Sequence, residues 1–478
     1  MVAVLLAILI VTGISDRVIS RTTVSVAVPA VNALSTVRVA PSTGTESSAW
    51  FCAGGSGAQG GAPATIVLDN TSHRVVRGTL TAVPALAAGA SQPPPWAGAH
   101  SVALAVPPEG QLAVGAEQLG TTSLVAAAVV LDGGGVAVSE SVVSPLGWSM
   151  APCAPSTGTN WYFAHGATAQ GGGLILSLFN PAATDAVVNV ALVSSTAGYL
   201  APAAYQGIDI APGSLVTENI GDHVAADPDV ATEVSTLSGA VVATELESLG
   251  APGDGGIALT LGSPAPASQW VFPQSTGIPE GIVTFHVLNP TSNPADVSIV
   301  IGLSQGAGAA PLVMHVPAQS LVSLTAESET RIPAGVPYSL TFTSAGAGIV
   351  VSREVAAPAG SPAGVPEVGE ANGVPGSATR WLVPAVVAPG AGAWALAVVD
   401  LGNTPTSVRI TTPGGRAIAG QGVRRVEPGS PLVIGPNPGP PFGTMPIEVV
   451  ADHPVAVELD PLPVAAPGVV VVPSFAPR

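Results

Sequence analysis

The sequence predicts an all-β protein: a tandem array of four immunoglobulin-like antiparallel β-sandwich modules after an N-terminal apolar segment. Three observations predict it. Four landmarks recur in fixed order at one period. Segments rich in Val, Ile, Thr and Leu are broken by Gly, Pro, Asn or Asp about every eight to twelve residues. Sustained helical periodicity is not evident.

The first landmark is a tryptophan. Trp50, Trp161, Trp270 and Trp381 open similar blocks, spaced 111, 109 and 111 residues apart. The second is an apolar run ending in a polar turn at Asn70, Asn180, Asn289 and Asp400, 19 or 20 residues after each Trp. Asn opens turns, and the Pro that follows Asn180 and Asn289 presets φ. The third is a Pro-led turn: Pro108-Glu109-Gly110, Pro212-Gly213-Ser214, Pro317-Ala318-Gln319 and Pro428-Gly429-Ser430. The fourth is a β-branched strand ending in Glu140, Glu245, Glu354 or Glu458. A period near 110 matches an ordinary domain, so each unit can bury its own core and the units are expected to follow one another as beads on a string. A propeller blade takes only about 45 residues. The expected divisions are 1–19, a signal or membrane anchor; 20–49, a tether with one strand at 23–28; and modules at 50–155, 156–265, 266–376 and 377–478. The Trp residues are expected in the cores. The recurring acids are expected at strand ends, where they can accept backbone hydrogen bonds.

Composition narrows the function. Aromatics are 4%, so the cores must be mostly Val, Leu, Ile and Ala. The 57 Gly and 48 Pro punctuate β-branched runs that disordered chains lack. There is no Lys, Arg is absent from 78–330, and the net charge is −17. Nucleic acid and anionic membrane surfaces, which need clustered cations, are excluded as partners. Without Lys neither a P-loop nor Ser-Lys catalysis is available. The seven His are scattered, and no paired-His or Cys-x-x-Cys metal spacing occurs. Gly55-Ser56-Gly57-Ala58-Gln59-Gly60 matches a dinucleotide fingerprint by letter but lacks its strand and helix, so it reads as a strand connection. The stretch 218–233 carries Asp222, His223, Asp227, Asp229 and Glu233. A solvated acidic loop is the favoured reading there, calcium the lesser one.

Residues 2–14 are apolar and of signal-peptide length, short for a membrane span of about 20 residues. Cys52 and Cys153 bracket the first module. In an exported chain such a pair predicts a disulfide; two buried free thiols are the competing reading.

The landmarks together resemble the exported actinobacterial proteins of domain-of-unknown-function family 5719. The residues that carry the resemblance are Trp50-Phe51-Cys52, Pro152-Cys153-Ala154, Trp161-Tyr162-Phe163-Ala164-His165-Gly166, Leu178-Phe179-Asn180-Pro181 and the Val-rich segments ending in Glu140 or Arg353-Glu354. It covers roughly 50–460. It implies a fold and an extracytoplasmic location, not a reaction, and it sets His165 where the family commonly has an acid. The expected protein is a non-enzymatic structural or adhesive repeat protein of the cell envelope, secreted or membrane-anchored. It is expected to have no catalytic residues, cofactor or metal, and to touch membrane only through its N-terminal segment. Binding of an envelope glycan or a partner protein is the alternative, followed by a scaffold for envelope glycan synthesis and then a hydrolase.

Overall fold

Strands make up nearly every element of the computed structural model. It describes residues 47–461 and 472–473, apart from residue 59 and the stretches 87–92, 121–122, 169–171, 252–253, 276–281, 306–307, 358–366, 387–393 and 436–444. The apolar segment 2–14 and the expected strand at 23–28 lie outside the described residues. Among the described residues no helix is long and apolar enough to cross a membrane.

Repeat one contains β1 (Ala49–Cys52), β2 (Ala64–Asn70), β3 (Val76–Pro84), β4 (His100–Val106), β5 (Gln111–Gly115), the single-turn helix α1 (Ala116–Leu119), β6 (Val125–Leu131), β7 (Val136–Ser144) and β8 (Gly147–Pro152). They form two antiparallel sheets, ordered β1-β6-β3-β4 and β5-β2-β7-β8. Both sheets feed one core: Leu80 and Val129 from the first, Ile66, Leu68 and Val138 from the second. Each such buried aliphatic contributes about 1.5–3 kcal/mol.

Repeat two contains β9 (Asn160–Phe163), β10 (Gly173–Asn180), β11 (Ala186–Ser194), β12 (Gly198–Leu200), β13 (Ile208–Ile210), β14 (Ser214–Asn219), β15 (Val230–Ser238), β16 (Val242–Ala251) and β17 (Asp254–Leu261). Its sheets run β9-β15-β11-β12, with β13 also on β11, and β14-β10-β16-β17. Alternation sets the faces, as where Val188 and Val190 of β11 point inward between half-buried neighbours. Repeat three contains β18 (Gln269–Ser275), β19 (Ile282–Asn289), β20 (Ala295–Leu303), β21 (Leu312–Val316), β22 (Ser320–Thr325), β23 (Tyr338–Ser344), β24 (Val350–Ala357) and β25 (Glu367–Asn372), in the same order: β18-β23-β20-β21 and β22-β19-β24-β25.

Repeat four merges the two sheets. Its strands are β26 (Ala378–Val383), β27 (Trp394–Asp400), β28 (Thr406–Thr411), β29 (Arg424–Val426), β30 (Leu432–Ile434), β31 (Ile447–Pro461) and β32 (Val472–Pro473). The first half of β31 pairs with β26 and β28, and the second half with β27 and β32. One strand thus occupies the positions of both β6 and β7. The link between those positions carries Gly in the other repeats, at Gly135, Gly239 and Gly346, all with positive φ. Here Ala451-Asp452-His453-Pro454 carries none, and the backbone stays extended.

Beads on a string are not what the structure shows. The described residues form one compact unit, and four junctions close a ring. Between repeats one and two, Leu259 N–H donates to Ser149 Oγ (2.9 Å) and Trp96 meets Phe179 edge-on. Between two and three, Asn372 Nδ2 donates to the Leu261 carbonyl (2.9 Å). Between three and four, Arg353 pairs with Glu458 (2.7 Å), and side-chain-free Gly302 lets the Gly429 backbone approach. Between four and one, Trp394 meets Trp148 edge-on with centroids 5.6 Å apart. The last strands of the repeats follow the same circuit: β8 packs on β17, β17 on β25, β25 on β32 and β32 on β8. The reason lies in apolar side chains such as Val67, Trp148 and Met150, which turn away from their own core and join that of repeat four.

Candidate functional site

Most of the recurring residues have structural work. The Asn70, Asn180 and Asn289 side chains are fully buried, and each clamps the turn it opens. Asn180 Nδ2 donates to the Thr184 and Ile210 carbonyls, and its Oδ1 accepts from Ala182 N–H; Asn70 and Asn289 repeat the pattern. Asp400 keeps only the acceptor half, from Gly402 N–H at 2.7 Å. Trp161, Trp270 and Trp381 donate Nε1–H to the carbonyls of Val241, Ile349 and Val455; the first two reach from one sheet to the start of the other, and Trp381 stays within the merged sheet of repeat four. Trp50 is equally buried, in the core of repeat one. The Pro-led turns place Glu109, Gly213, Gln319 and Gly429 at positive φ, where glycine carries no steric cost.

Cys52 and Cys153 form a disulfide, with Cα atoms 4.7 Å apart, joining β1 to the segment after β8. Free thiols are thereby excluded for this pair.

The four glutamates are not equivalent. Glu140 pairs with Ile66 and Glu245 with Leu176, each four residues before the turn Asn. Glu354 pairs with Thr284, five before Asn289, and Glu458 with Ala397, three before Asp400. A shift of one residue turns a side chain to the other face. At the Glu140 position repeat three has Arg353, opposite Phe285. Glu140 accepts from Gly54 N–H (3.0 Å) and Gly55 N–H (2.8 Å), so the glycine-rich connection is a loop folded onto a carboxylate. A Cβ on Gly55 would come within 2.9 Å of Glu140 Oε1. Burial pushes the Glu140 pKa up to about 7, opposed by the backbone N–H groups of Gly54, Gly55 and Ala53.

Glu354 belongs to a different constellation, at the junction of repeats two and three. His165 follows β9, His286 lies on β19, and Asp229 directly precedes β15. The imidazoles stack with centroids 3.9 Å apart and a 21° tilt. Asp229 Oδ1 lies 3.2 Å from His165 Nδ1 and 3.0 Å from His286 Nδ1. Glu354 lies on the opposite edge, 3.8 Å from His165 Nε2 and 3.4 Å from His286 Nε2. Ser323 Oγ donates to Asp229 Oδ2 at 2.6 Å. Both imidazoles are buried, whereas the Asp229 and Glu354 side chains keep 15% and 19% exposure, a narrow opening to solvent. One ligand atom each from His165, Asp229 and His286 lie within 4.8 Å of one another.

The electrostatics are strongly coupled. Burial favours a neutral His165, but Asp229, Glu354, Glu247 and Glu370 outweigh it and hold its pKa well above the ordinary value. Burial would raise Asp229, yet hydrogen bonds and charge from the two His bring it far below the usual carboxylate range. Glu370 is pushed up to about 8 by burial, opposed by His165. Glu245 is raised well above normal, again by burial first.

The stretch 218–233 is not simply a solvated loop. Asp227 is buried, accepting from Ser194, Ser195 and Thr196 hydroxyls, and Asp229 sits at the histidine pair. His165 and His286 come from different repeats, 121 positions apart, so no local spacing could join them.

The profile of a family described as a family of unknown function, DUF5719, matches residues 116–430, from α1 to the turn before β30. No curated protein matches the chain. The match covers more than half of the sequence: the chain belongs to family DUF5719.

Proposed function

We propose that this DUF5719 protein is a non-enzymatic structural or adhesive element of the cell envelope. It acts outside the cytoplasm as a tandem array of four immunoglobulin-like β-sandwich modules locked into one block, secreted or tethered through residues 2–14. The observation that carries this reading is the closed set of four junctions, which binds the repeats into one compact unit. A block of this kind suits bearing load or holding partners at fixed spacing. The pairing has its own variant of immunoglobulin order, since the first strand joins the sixth and not the second. The disulfide supports an oxidising compartment. The net charge of −17 supports a glycan or protein partner over nucleic acid. Purified protein should show no glycosidase, peptidase or esterase turnover. Exported protein should yield the linked Cys52–Cys153 peptides on non-reducing mapping. A turnover that one substitution abolishes at unchanged melting temperature would overturn the reading.

Glycan binding is the second reading, and a surface hollow on repeat two supports it. Tyr162, Tyr199, Asn160, Asn189, Gln206 and Glu233 line a hollow of about 150 Å³. Tyr199 is 43% exposed, and burial pushes the Glu233 pKa up to about 7. Ring faces beside amides and a carboxyl suit a sugar's C–H face and hydroxyls. Envelope polysaccharide should bind the wild type and lose affinity for Tyr199→Ala; equal binding removes this reading.

A further inference from the structure

The sheets that carry the landmark Trp in repeats two and four place an acid at the same position and answer it differently. In repeat two Glu233 stands opposite Tyr162, next to the pair of Val234 and Trp161. In repeat four Glu448 stands opposite Leu382, next to the pair of Val449 and Trp381. Repeats one and three hold Ala128 and Thr341 at this position, so the sheet itself does not require an acid. The residue before the Trp is Arg380 in repeat four, and its guanidinium donates to Glu448 Oε1 at 2.6 Å. In repeat two that residue is Asn160, whose amide donates to Thr159 Oγ1 at 3.1 Å. No Arg or Lys occurs anywhere in 78–330. Glu233 Oε1 is buried without a hydrogen-bond partner.

The hollow on repeat two is built around this unanswered carboxylate. In the sheet order β9-β15-β11-β12, Glu233 has Tyr162 on one side and Ala191 on the other. Ala191 adds only a methyl group, and Tyr199 of β12 stands beyond it. Tyr162 packs against the core cluster of repeat three, whereas Tyr199 is 43% exposed. Glu233 acts on both phenols: burial first, and then its charge, raises their pKa values. Two rim amides are already engaged. Gln206 Nε2 donates to the Val190 carbonyl (2.8 Å), and Asn189 Oδ1 accepts from Gly207 N–H (2.8 Å). The lining supplies no cation. A half-buried carboxylate beside two aromatic rings favours one, through charge-assisted hydrogen bonds and the ring quadrupoles.

We infer that this hollow binds the free ammonium group of an amino sugar, which takes the place that Arg380 fills in repeat four while the sugar ring lies on Tyr199. The inference rests on the glycan reading of the hollow and gives that glycan a positive charge. A sugar is favoured over a cationic side chain because the lining continues past Glu233 to Ser235, Asn160 and Asn189, polar groups that suit ring hydroxyls. An ammonium also makes the C–H groups of its own ring more positive, which strengthens their contact with a tyrosine. The net charge of −17 favours the approach of a cationic ligand over an anionic one.

The test uses the full chain carrying ring-¹³C tyrosine, titrated near neutral pH with a glucosamine disaccharide, its N-acetylated form and cellobiose. These ligands share their rings and differ in charge. The signals of Tyr162 and Tyr199 should move, and those of Tyr205 and Tyr338 should not. The amine form should bind about 10-fold or more tighter than the two neutral ones. Glu233→Gln should erase that preference. Asn160→Arg should abolish binding of the amine form, because repeat two then carries the internal arginine of repeat four. The comparison of ligands on the wild type needs no variant to fold. Equal binding of all three would overturn the inference and leave the glycan reading standing. Binding of none would overturn the glycan reading with it. Tighter binding of an N-acetylated arginine amide than of the amine disaccharide would overturn the assignment to a sugar.

Discussion

The junction of repeats two and three and the junction of repeats four and one do the same task with opposite chemistry. The first sets ionisable groups beside a small apolar contact of Ala164, Val193 and Ala231: two stacked histidines, Asp229, Glu354, and the buried acids Glu247 and Glu370. The second is built from Trp148, Trp394, Val67 and Met150, with the buried acid Asp69 beside them. Apolar burial is favourable without partners, so the second junction needs only shape. Buried charge is favourable only when each group is answered, so the first demands geometry. A scaffold needs just the former kind.

The largest expected effect tests the apolar side of the contrast. Trp394→Ala should cost about 3–5 kcal/mol, because it removes a buried aromatic and its contact with Trp148. Urea unfolding measures this directly. A loss under 1 kcal/mol would mean that repeats four and one merely touch. Next comes Asp229→Asn. It leaves two buried imidazoles poorly answered, at a cost of about 1–3 kcal/mol. An unchanged midpoint would show that the histidine stack holds without its carboxylate.

How far the sequence foretells these junctions can be judged from particular residues. The Trp and Asn landmarks are legible because each acts inside its own repeat, with partners at offsets that recur. The disulfide is legible because Cys52 and Cys153 are the chain's only cysteines. The ring is not legible, because Ala385 N–H reaches Asp69 Oδ2 across 316 positions and no periodicity encodes such a pair. The glutamates mislead for a subtler reason. Four similar strand endings align by eye, yet a one-residue slip in register sends Glu354 to the histidines while Glu140 holds a glycine loop. His165 is visible in sequence only as a departure from a resemblance, and its partner lies in the next repeat.

Acidity offers a third, intermediate test, in which the two junctions should respond alike for different reasons. Asp69 has its pKa raised by burial, opposed by the Ala385 N–H, from 3.8 to about 8. Between those values the folded state keeps a proton that the unfolded state has lost, so stability falls as pH rises. His165 is raised above 6.5, so its contribution is complete below that pH and is lost as pH rises through the folded value. Asp229 is depressed below 3.8, so its contribution is present above that pH and disappears only on strong acidification. The melting temperature should therefore decline from about pH 5 to pH 8. Asp69→Asn keeps an oxygen for Ala385 N–H and should make the decline shallower. A melting temperature that climbs over this range would contradict the assignment of both groups.

The smallest effect isolates burial itself. Repeat three carries a second histidine–aspartate pair, His315 Nδ1 to Asp296 Oδ1 at 2.8 Å, joining β20 to β21 at the edge of its sheet. The residue types match those of the Asp229 centre and the separation is shorter. The surroundings differ, because these side chains are 63% and 74% exposed. Water answers each charge separately, and an exposed pair of this kind contributes only about 0–1 kcal/mol. Asp296→Asn should thus leave the urea midpoint within error, and 0.5 M salt should not separate variant from wild type. If it instead cost as much as Asp229→Asn, contact distance would decide the strength of these pairs, and the contrast between the two junctions would lose its physical basis.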